Sequence, residues 1–392
     1  MQEVNNLGFA RMLVEKEHIT QQKVIKEQVQ SELIIEKQEQ EQSNILEEVM
    51  VDLNDVETKV SLFRTKSREI HEQLWSTLLT IIKNGDHRNE TQRKISFEME
   101  LNIFFLAFST GLPIYIIISR MIYLNGKKEP YNRTTVSRCF DRTLKTLSTW
   151  AKDEIQFIDI DTWVTDSKKN LTSETFKKYE KTLFFYVDGS VVKTKNSSDP
   201  LYSRLIRNGK HSIPAFVFFI VVTTCGRIVY VSEELKEGSV HDKTHWENEE
   251  VCLKLEEKYG EFKGKVMING QEYQLALCGD KAYPFMSISE KWLLFITKTG
   301  GETKDAITVN DEVIEIEPKA KHANLHHVQF APGVAKLRSV VERVIRRVKK
   351  WAIFQSVDHM TSAERVRQLI LISCAITNWM LIHSTGEDDR QI

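Results

Sequence analysis

Leu183–Val192 reads L-F-F-Y-V-D-G-S-V-V. Ten residues this apolar and aromatic predict a strand buried on both faces, the kind found inside a sheet covered by helices. Asp188 is the only charge in it. The pattern continues downstream. Ala215–Thr224 (A-F-V-F-F-I-V-V-T-T) and Arg227–Ser232 (R-I-V-Y-V-S) flank Cys225-Gly226, which predicts a hairpin. A helix is expected over about 243–258. Hairpins are expected around Asn269-Gly270 and Asn310-Asp311, with a further strand at Trp292–Thr297. Two helices, about 334–350 and 361–382, close the chain. Strands, a crossover helix, more strands and terminal helices predict a mixed α/β domain over 180–385.

Upstream, the apolar spacing is helical. Residues 84–155 read as a small helical domain. One helix lies near 95–108, another near 113–124 after the turn Ser109-Thr110-Gly111-Leu112-Pro113, and a third runs from Arg133 to about Leu147. The third carries Arg133, Ser137, Arg138, Arg142 and Lys145, which fits a helix-turn-helix reading DNA. A plain helical bundle has the same hydrophobic pattern. Residues 1–83 read as a helical arm. Residues 8–43 are rich in Gln, Glu and Lys, and Leu46, Val49, Leu53, Val56, Val60 and Phe63 recur in steps of three and four, with Ile70, Leu74 and Ile81 in phase. This is a heptad seam over 46–81 that predicts a coiled coil and a homo-oligomer; a helix docked on its own domain is the alternative.

Composition narrows the function classes. The net charge of −1 hides an asymmetry, because the charged residues of 336–350 are all basic but Glu342, and local patches govern nucleic-acid binding. The 5 cysteines are scattered, with no C-x-x-C pair, which predicts a reducing compartment and no zinc module. The first residues lack a basic stretch followed by an apolar one, so no signal peptide is expected. Leu101–Leu124 is broken by Asn102, Ser109, Gly111 and Pro113, so no membrane span is expected there.

Four acids stand out. Asp188 lies in the first strand, although Asp-Gly is also a common turn pair. Asp280, in Gly279-Asp280-Lys281, sits at another strand's end, where a capping role is the alternative. Asp242, in Gly238-Ser239-Val240-His241-Asp242, has the pattern of a helix N-cap. Glu342 is the one acid in Leu337–Trp351, L-R-S-V-V-E-R-V-I-R-R-V-K-K-W. There Leu337, Val341, Val344 and Val348 form a buried stripe, and Arg338, Glu342, Arg346 and Lys349 an adjoining face. A salt-bridge ladder would explain Glu342 alone, but so many cations call for an outside anion such as phosphate. Carboxylates from two strand ends and a helix suit Mg²⁺ or Mn²⁺, with two ions serving in-line displacement at phosphorus. Paired carboxylates also serve glycoside hydrolysis, which leaves the basic helix unexplained.

The ordered segments V-D-G-S (187–190), G-S-V-H-D (238–242), G-D-K-A-Y-P (279–284) and L-R-S-V-V-E-R-V-I-R-R-V-K-K-W (337–351) resemble the DDE superfamily endonucleases of Harbinger-type transposons and their bacterial insertion-sequence relatives. L-I-S-C-A-I-T-N-W (371–379) resembles the family's closing helix, and F-L-A-F-S-T-G-L-P (105–113) with T-T-V-S-R (134–138) its helix-turn-helix region. The resemblance implies an RNase H-like mixed sheet with flanking helices and a catalytic triad of Asp188, Asp280 and Glu342. It implies Asp242 as a further metal ligand, and Mg²⁺ or Mn²⁺ as two ions. It also implies double-stranded DNA as the partner, at transposon ends and target sites, with an accessory DNA-binding protein. Arg338, Arg346, Lys349 and Lys350 would hold phosphates, with Arg133 and Arg138 binding DNA upstream. A nuclear location, in a eukaryote, follows from the resemblance alone. The gap from Asp280 to Glu342 is longer than usual in the family, and the N-terminal coiled coil is not a family feature. The competing expectation is a domesticated, transposase-derived DNA-binding or scaffold protein that no longer cuts.

Overall fold

The computed structural model describes residues 68–85, 95–114, 116–117, 132–169, 180–209, 213–260, 264–280, 293–297, 305–309, 312–316, 328–329, 334–360 and 362–383. The chain divides into two units, 1–61 and 62–392, and the described residues all belong to the second. The arm at 8–43 and the heptad positions from Leu46 to Phe63 lie outside them, as does most of the helix expected at 113–124.

In chain order the helices before the sheet are α1 (Arg68–Asn84), α2 (Phe97–Thr110), α3 (Arg133–Glu154) and α4 (Ile160–Lys169). There follow β1 (Thr182–Lys193), α5 (Pro200–Leu205), β2 (Ala215–Thr223), β3 (Ile228–Val231), β4 (Lys236–Glu237), α6 (Asp242–Asn248) and α7 (Val251–Tyr259). Next come β5 (Lys265–Ile268), β6 (Gln271–Asp280), β7 (Leu293–Thr297), β8 (Asp305–Val309), β9 (Glu312–Ile316) and β10 (Val328–Gln329). The chain continues through α8 (Val334–Val348), two 3₁₀ turns and α9 (Ala363–His383).

The architecture is a mixed α/β sheet with flanking helices. The strand order is β10-β7-β6-β1-β2-β3, with β4 on β2 and β5 on β6, while β8 and β9 form a separate pair. β1 is central. It runs antiparallel to β2 and parallel to β6, and Leu183 through Val187 are buried, as the unbroken apolar run requires. Asp188 sits inside this ladder opposite Ile220, so its Asp-Gly pair is not a turn. A turn of that kind does form between β5 and β6, where Asn269 (φ 48°) and Gly270 (φ 75°) both adopt left-handed backbone and match the twist of a two-residue hairpin.

α8 packs across β1, β2, β6 and β7 through Val341, Val344 and Val348, all nearly inaccessible. α9 lies beside it. Ser373 Oγ donates to Val348 O at 2.8 Å, satisfying a carbonyl at the end of α8. Asn378 donates to Ile228 O and accepts from Ile228 N, each at 2.7 Å, which stitches α9 to the edge of β3. α9 is long and apolar enough to cross a membrane, yet Leu369 through Trp379 are buried within the protein, as expected of a core helix that is apolar all round.

The first helices share this core. Phe104, Phe105 and Phe108 of α2 meet Phe140 of α3 and Trp351 just after α8. α2 stops at Gly111, which adopts φ 70° and whose N–H returns to Ala107 O. A Cβ there would lie 2.6 Å from Ala352 O, so both the left-handed backbone and the close approach call for glycine. α1 departs from the seam expected at its end. His71, Leu74, Trp75, Leu78 and Ile82 are buried against α2 and α3. Over 68–84 the apolar stripe is therefore satisfied within the chain and is not left for a second copy.

The single helix expected over 243–258 is two. Glu250 adopts left-handed backbone (φ 51°) between α6 and α7, and this break lets Glu249 turn its carboxylate inward.

Candidate active site

Two of the acids stand on adjacent strands. β1 and β6 run parallel with Phe185 beside Leu277 and Tyr186 beside Cys278. That pairing ends two residues short of Asp188 and of Asp280, the last residue of β6, which pairs with Thr297 of β7 on its other side. Asp188 is 15% exposed at its side chain. Its Oδ1 accepts from Gly189 N at 3.0 Å, and its Oδ2 accepts from Arg338 Nη2 at 3.1 Å.

α8 supplies the third position. Glu342 follows Arg338 by one turn, and its Oε1 lies 3.5 Å from the same Arg338 Nη2. One guanidinium nitrogen thus touches carboxylates from a central strand and a crossing helix. Arg338, expected to hold phosphate, is paired here with Asp188 and Glu342. Arg346 and Lys350 are exposed beyond it. Lys349 is half-buried, and its Nζ donates to Ser190 Oγ at 3.2 Å. Burial, and then the nearby Lys193 charge, push its pKa below the usual lysine range.

Asp242 is the first residue of α6. The N-cap is His241, which makes no side-chain capping bond, so the capping role expected of Asp242 is not the one it has. The segment before it closes a cleft of about 540 Å³ running from Gly189 and Ser190 past Asn208 and Gly209 to Ser239, His241 and Lys349. Gly238 makes the wall possible. A Cβ on it would fall 2.5 Å from Ile206 O and 2.8 Å from Asn208 N, and its own carbonyl accepts from Asn208 Nδ2 at 3.1 Å. Since the obstructing atoms are backbone, Gly238→Ala is expected to lower stability by about 2–3 kcal/mol; urea unfolding measures this, and an unchanged midpoint would contradict the packing.

Behind the cleft a buried acid ties α6 down. Glu249 accepts from Tyr230 Oη at 2.5 Å, Glu233 N at 2.6 Å and Glu234 N at 2.9 Å. His245 Nε2 lies 3.3 Å from its Oε1 and 2.9 Å from Glu234 O. Burial alone would raise the Glu249 pKa, but these hydrogen bonds from His245, the two backbone N–H groups and Tyr230 outweigh it and the pKa is lowered. Burial first, then the bond to Glu249, raises the Tyr230 pKa and keeps it a donor.

The upstream basic set divides. Arg133 and Arg138 are exposed on α3. Arg142, expected among the DNA-facing residues, turns inward to the buried Glu100, with Nε 3.4 Å from Oε2.

The donor set fits hard divalent cations, which take carboxylate oxygens, and Arg338 already holds a positive charge between two of those carboxylates. Among the described residues no three His, Cys, Asp or Glu side chains form a ready metal cluster; the side chains of Asp242 and Asp280 are not in that set. Sequence reasoning did not single out Ser190, Asn208, Glu249 or the need for Gly238. Gly238 stood in a quoted motif, whereas Asn208 and Glu249 carry no local signal, since their partners lie elsewhere in the chain.

Residues 187–378 match the family model described as DDE superfamily endonuclease. Neither the curated proteins nor the solved structures returned a match.

Proposed function

From the premise that the 187–378 region of this chain belongs to the DDE superfamily endonuclease family, we propose that the protein cuts DNA, and joins it, through Asp188, Asp280 and Glu342. The observation that carries the reading is Arg338 Nη2, which lies within 3.5 Å of both the Asp188 and the Glu342 carboxylates, and β6, which ends at Asp280, runs parallel beside β1. The mixed sheet with helices across it is compatible with the RNase H-like fold, and the ordered motifs with the Harbinger-type branch.

In this reading Asp188, Asp280 and Glu342 hold two Mg²⁺ or Mn²⁺ ions, with Asp242 as a further ligand. The ions, when bound, supply charge for the attacking and leaving oxygens at phosphorus. Arg338 fixes the carboxylates of Asp188 and Glu342 relative to each other before substrate arrives. Lys349 presents a cation beside them, and Arg346 and Lys350 extend the positive surface along α8 for backbone phosphates. Arg133 and Arg138 extend DNA contact to α3 as part of a helix-turn-helix. Self-association would rest on the heptads before Arg68, because α1 buries its stripe within the chain. An accessory DNA-binding protein and a nuclear site of action belong to the same proposal.

The test is nicking of supercoiled and linear DNA by the full chain. Cleavage is expected with Mg²⁺ or Mn²⁺ and none with EDTA. Salt-sensitive DNA binding with no cleavage under either metal would favour the domesticated, non-cutting alternative.

A further inference from the structure

The cleft beside Asp188 is not used by the triad. It is about 540 Å³, within the roughly 300–1,000 Å³ of small-ligand clefts. That suits one nucleotide and not a duplex, whose major groove alone is about 12 Å wide. Its position follows from the chain, since Gly189 and Ser190 continue β1 directly from Asp188 and Ser239 and His241 lead into Asp242. Its lining is graded. Lys349 and Ser190, joined at 3.2 Å, put a cation and a hydroxyl at the end nearest the acids. Arg207 is exposed at the rim. Val191 and Val217 give an apolar strip, while Asn208 and the 238–241 turn offer polar groups opposite.

We infer that this cleft receives a single unpaired nucleotide of the strand being cut, next to the scissile phosphate, with Lys349 and Ser190 on its phosphate and the 207–209 and 238–241 segments around its base. The inference rests on the nuclease reading above and deepens it. A phosphate suits the Lys349 end because burial and Lys193 both oppose the lysine's charge, and an entering anion offsets both. A base suits the remainder because an extruded nucleotide needs a concave pocket with an apolar strip for its face and polar groups for its edge. Placing an unpaired nucleotide here brings its neighbouring phosphate toward Asp188, so local strand opening becomes part of how this protein selects where to cut.

The experiment compares two duplexes of one sequence, one fully paired and one with a single bulged 4-thiothymidine, bound to the full chain. Fluorescence anisotropy should show the bulged duplex binding about tenfold tighter. Lys349→Gln should erase most of that advantage, and Arg207→Ala, at an exposed rim position, should reduce it without affecting folding. Ultraviolet crosslinks from the thiobase should map to 207–209 or 238–241. Equal affinity for the two duplexes, or crosslinks confined to other segments, would overturn the inference. Metal-dependent nicking of the same DNAs separates the two claims. Cutting that requires Asp188 but shows no preference for the bulge leaves the nuclease reading standing and removes this one. A bulge preference with the mapped crosslinks but no cutting supports the cleft as a site for an unpaired nucleotide and overturns its link to a scissile phosphate together with the nuclease reading.

Discussion

Asp188→Asn is expected to reduce metal-dependent DNA cleavage by on the order of 10³-fold, the cost of several kcal/mol of transition-state charge stabilisation. The substitution keeps the shape of the side chain and an oxygen that can still accept from Gly189 N, 3.0 Å away in the parent. It removes the charge that pairs with Arg338. The carboxylate is mostly buried, so the change is expected to lower stability by about 1–3 kcal/mol. The loss of cleavage should therefore greatly exceed any loss of folded protein. Glu342→Gln should do the same to cleavage with less effect on stability, since the Glu342 side chain is 50% exposed. Rates from a nicking time course, beside circular dichroism and DNA-binding affinity, measure all three quantities. Parent-like cleavage by either variant would remove the assigned triad. Loss of cleavage with DNA binding retained would place the defect in the chemical step.

Glu249→Ala is expected to destabilise the protein by about 3–5 kcal/mol, the range for removing one partner from a buried charged network. It strands Tyr230 Oη, two backbone N–H groups at Glu233 and Glu234, and His245. Because Glu249 anchors the end of α6, whose first residue is Asp242, cleavage should fall as well. Glu249→Gln keeps the shape but turns an amide NH₂ toward donors, so it should fall between the parent and the alanine variant. The pH dependence has a definite sign. The folded-state pKa is depressed, so the contribution is fully present above the ordinary glutamate range and is lost as pH falls through the lower folded value. Urea midpoints measured from neutral to acidic pH should therefore decline more steeply for the parent than for Glu249→Ala. Parallel declines would show that Glu249 is not the group responsible.

Much of the fold is legible in order and type, because its signals are local. The apolar runs at Leu183–Val192 and Ala215–Thr224 are strands in the structure, and Asn269-Gly270 closes a hairpin because two successive left-handed residues suit that turn. The stripe of Val341, Val344 and Val348 faces the sheet as its helical period requires. What the period could not give was destination. The stripe of α1 fits a coiled-coil seam and a docked helix equally, and burial of Leu74, Trp75 and Leu78 within the chain decides for docking over 68–84. Arg142 and Arg138 are alike in sequence, yet one reaches Glu100, 42 residues back, and the other is exposed. The break at Glu250 was also illegible, because an ordinary residue with no turn signal takes left-handed backbone there.

Sequence by itself determined the order of the candidate acids and the elements that present them, since helical and strand periods and short motifs are properties of neighbouring residues. Tertiary structure alone decided who meets whom. The parallel pairing of β1 with β6 lays the strands that bear Asp188 and Asp280 side by side, and the crossing of α8 brings Arg338 to the carboxylates of both Asp188 and Glu342. It also paired Arg338 with Asp188 and Glu342, a partnership the helical pattern alone does not give for Asp188. Register and crossing are fixed by packing between segments far apart in the chain, 150 residues for Arg338 and Asp188, and that is information no local pattern contains.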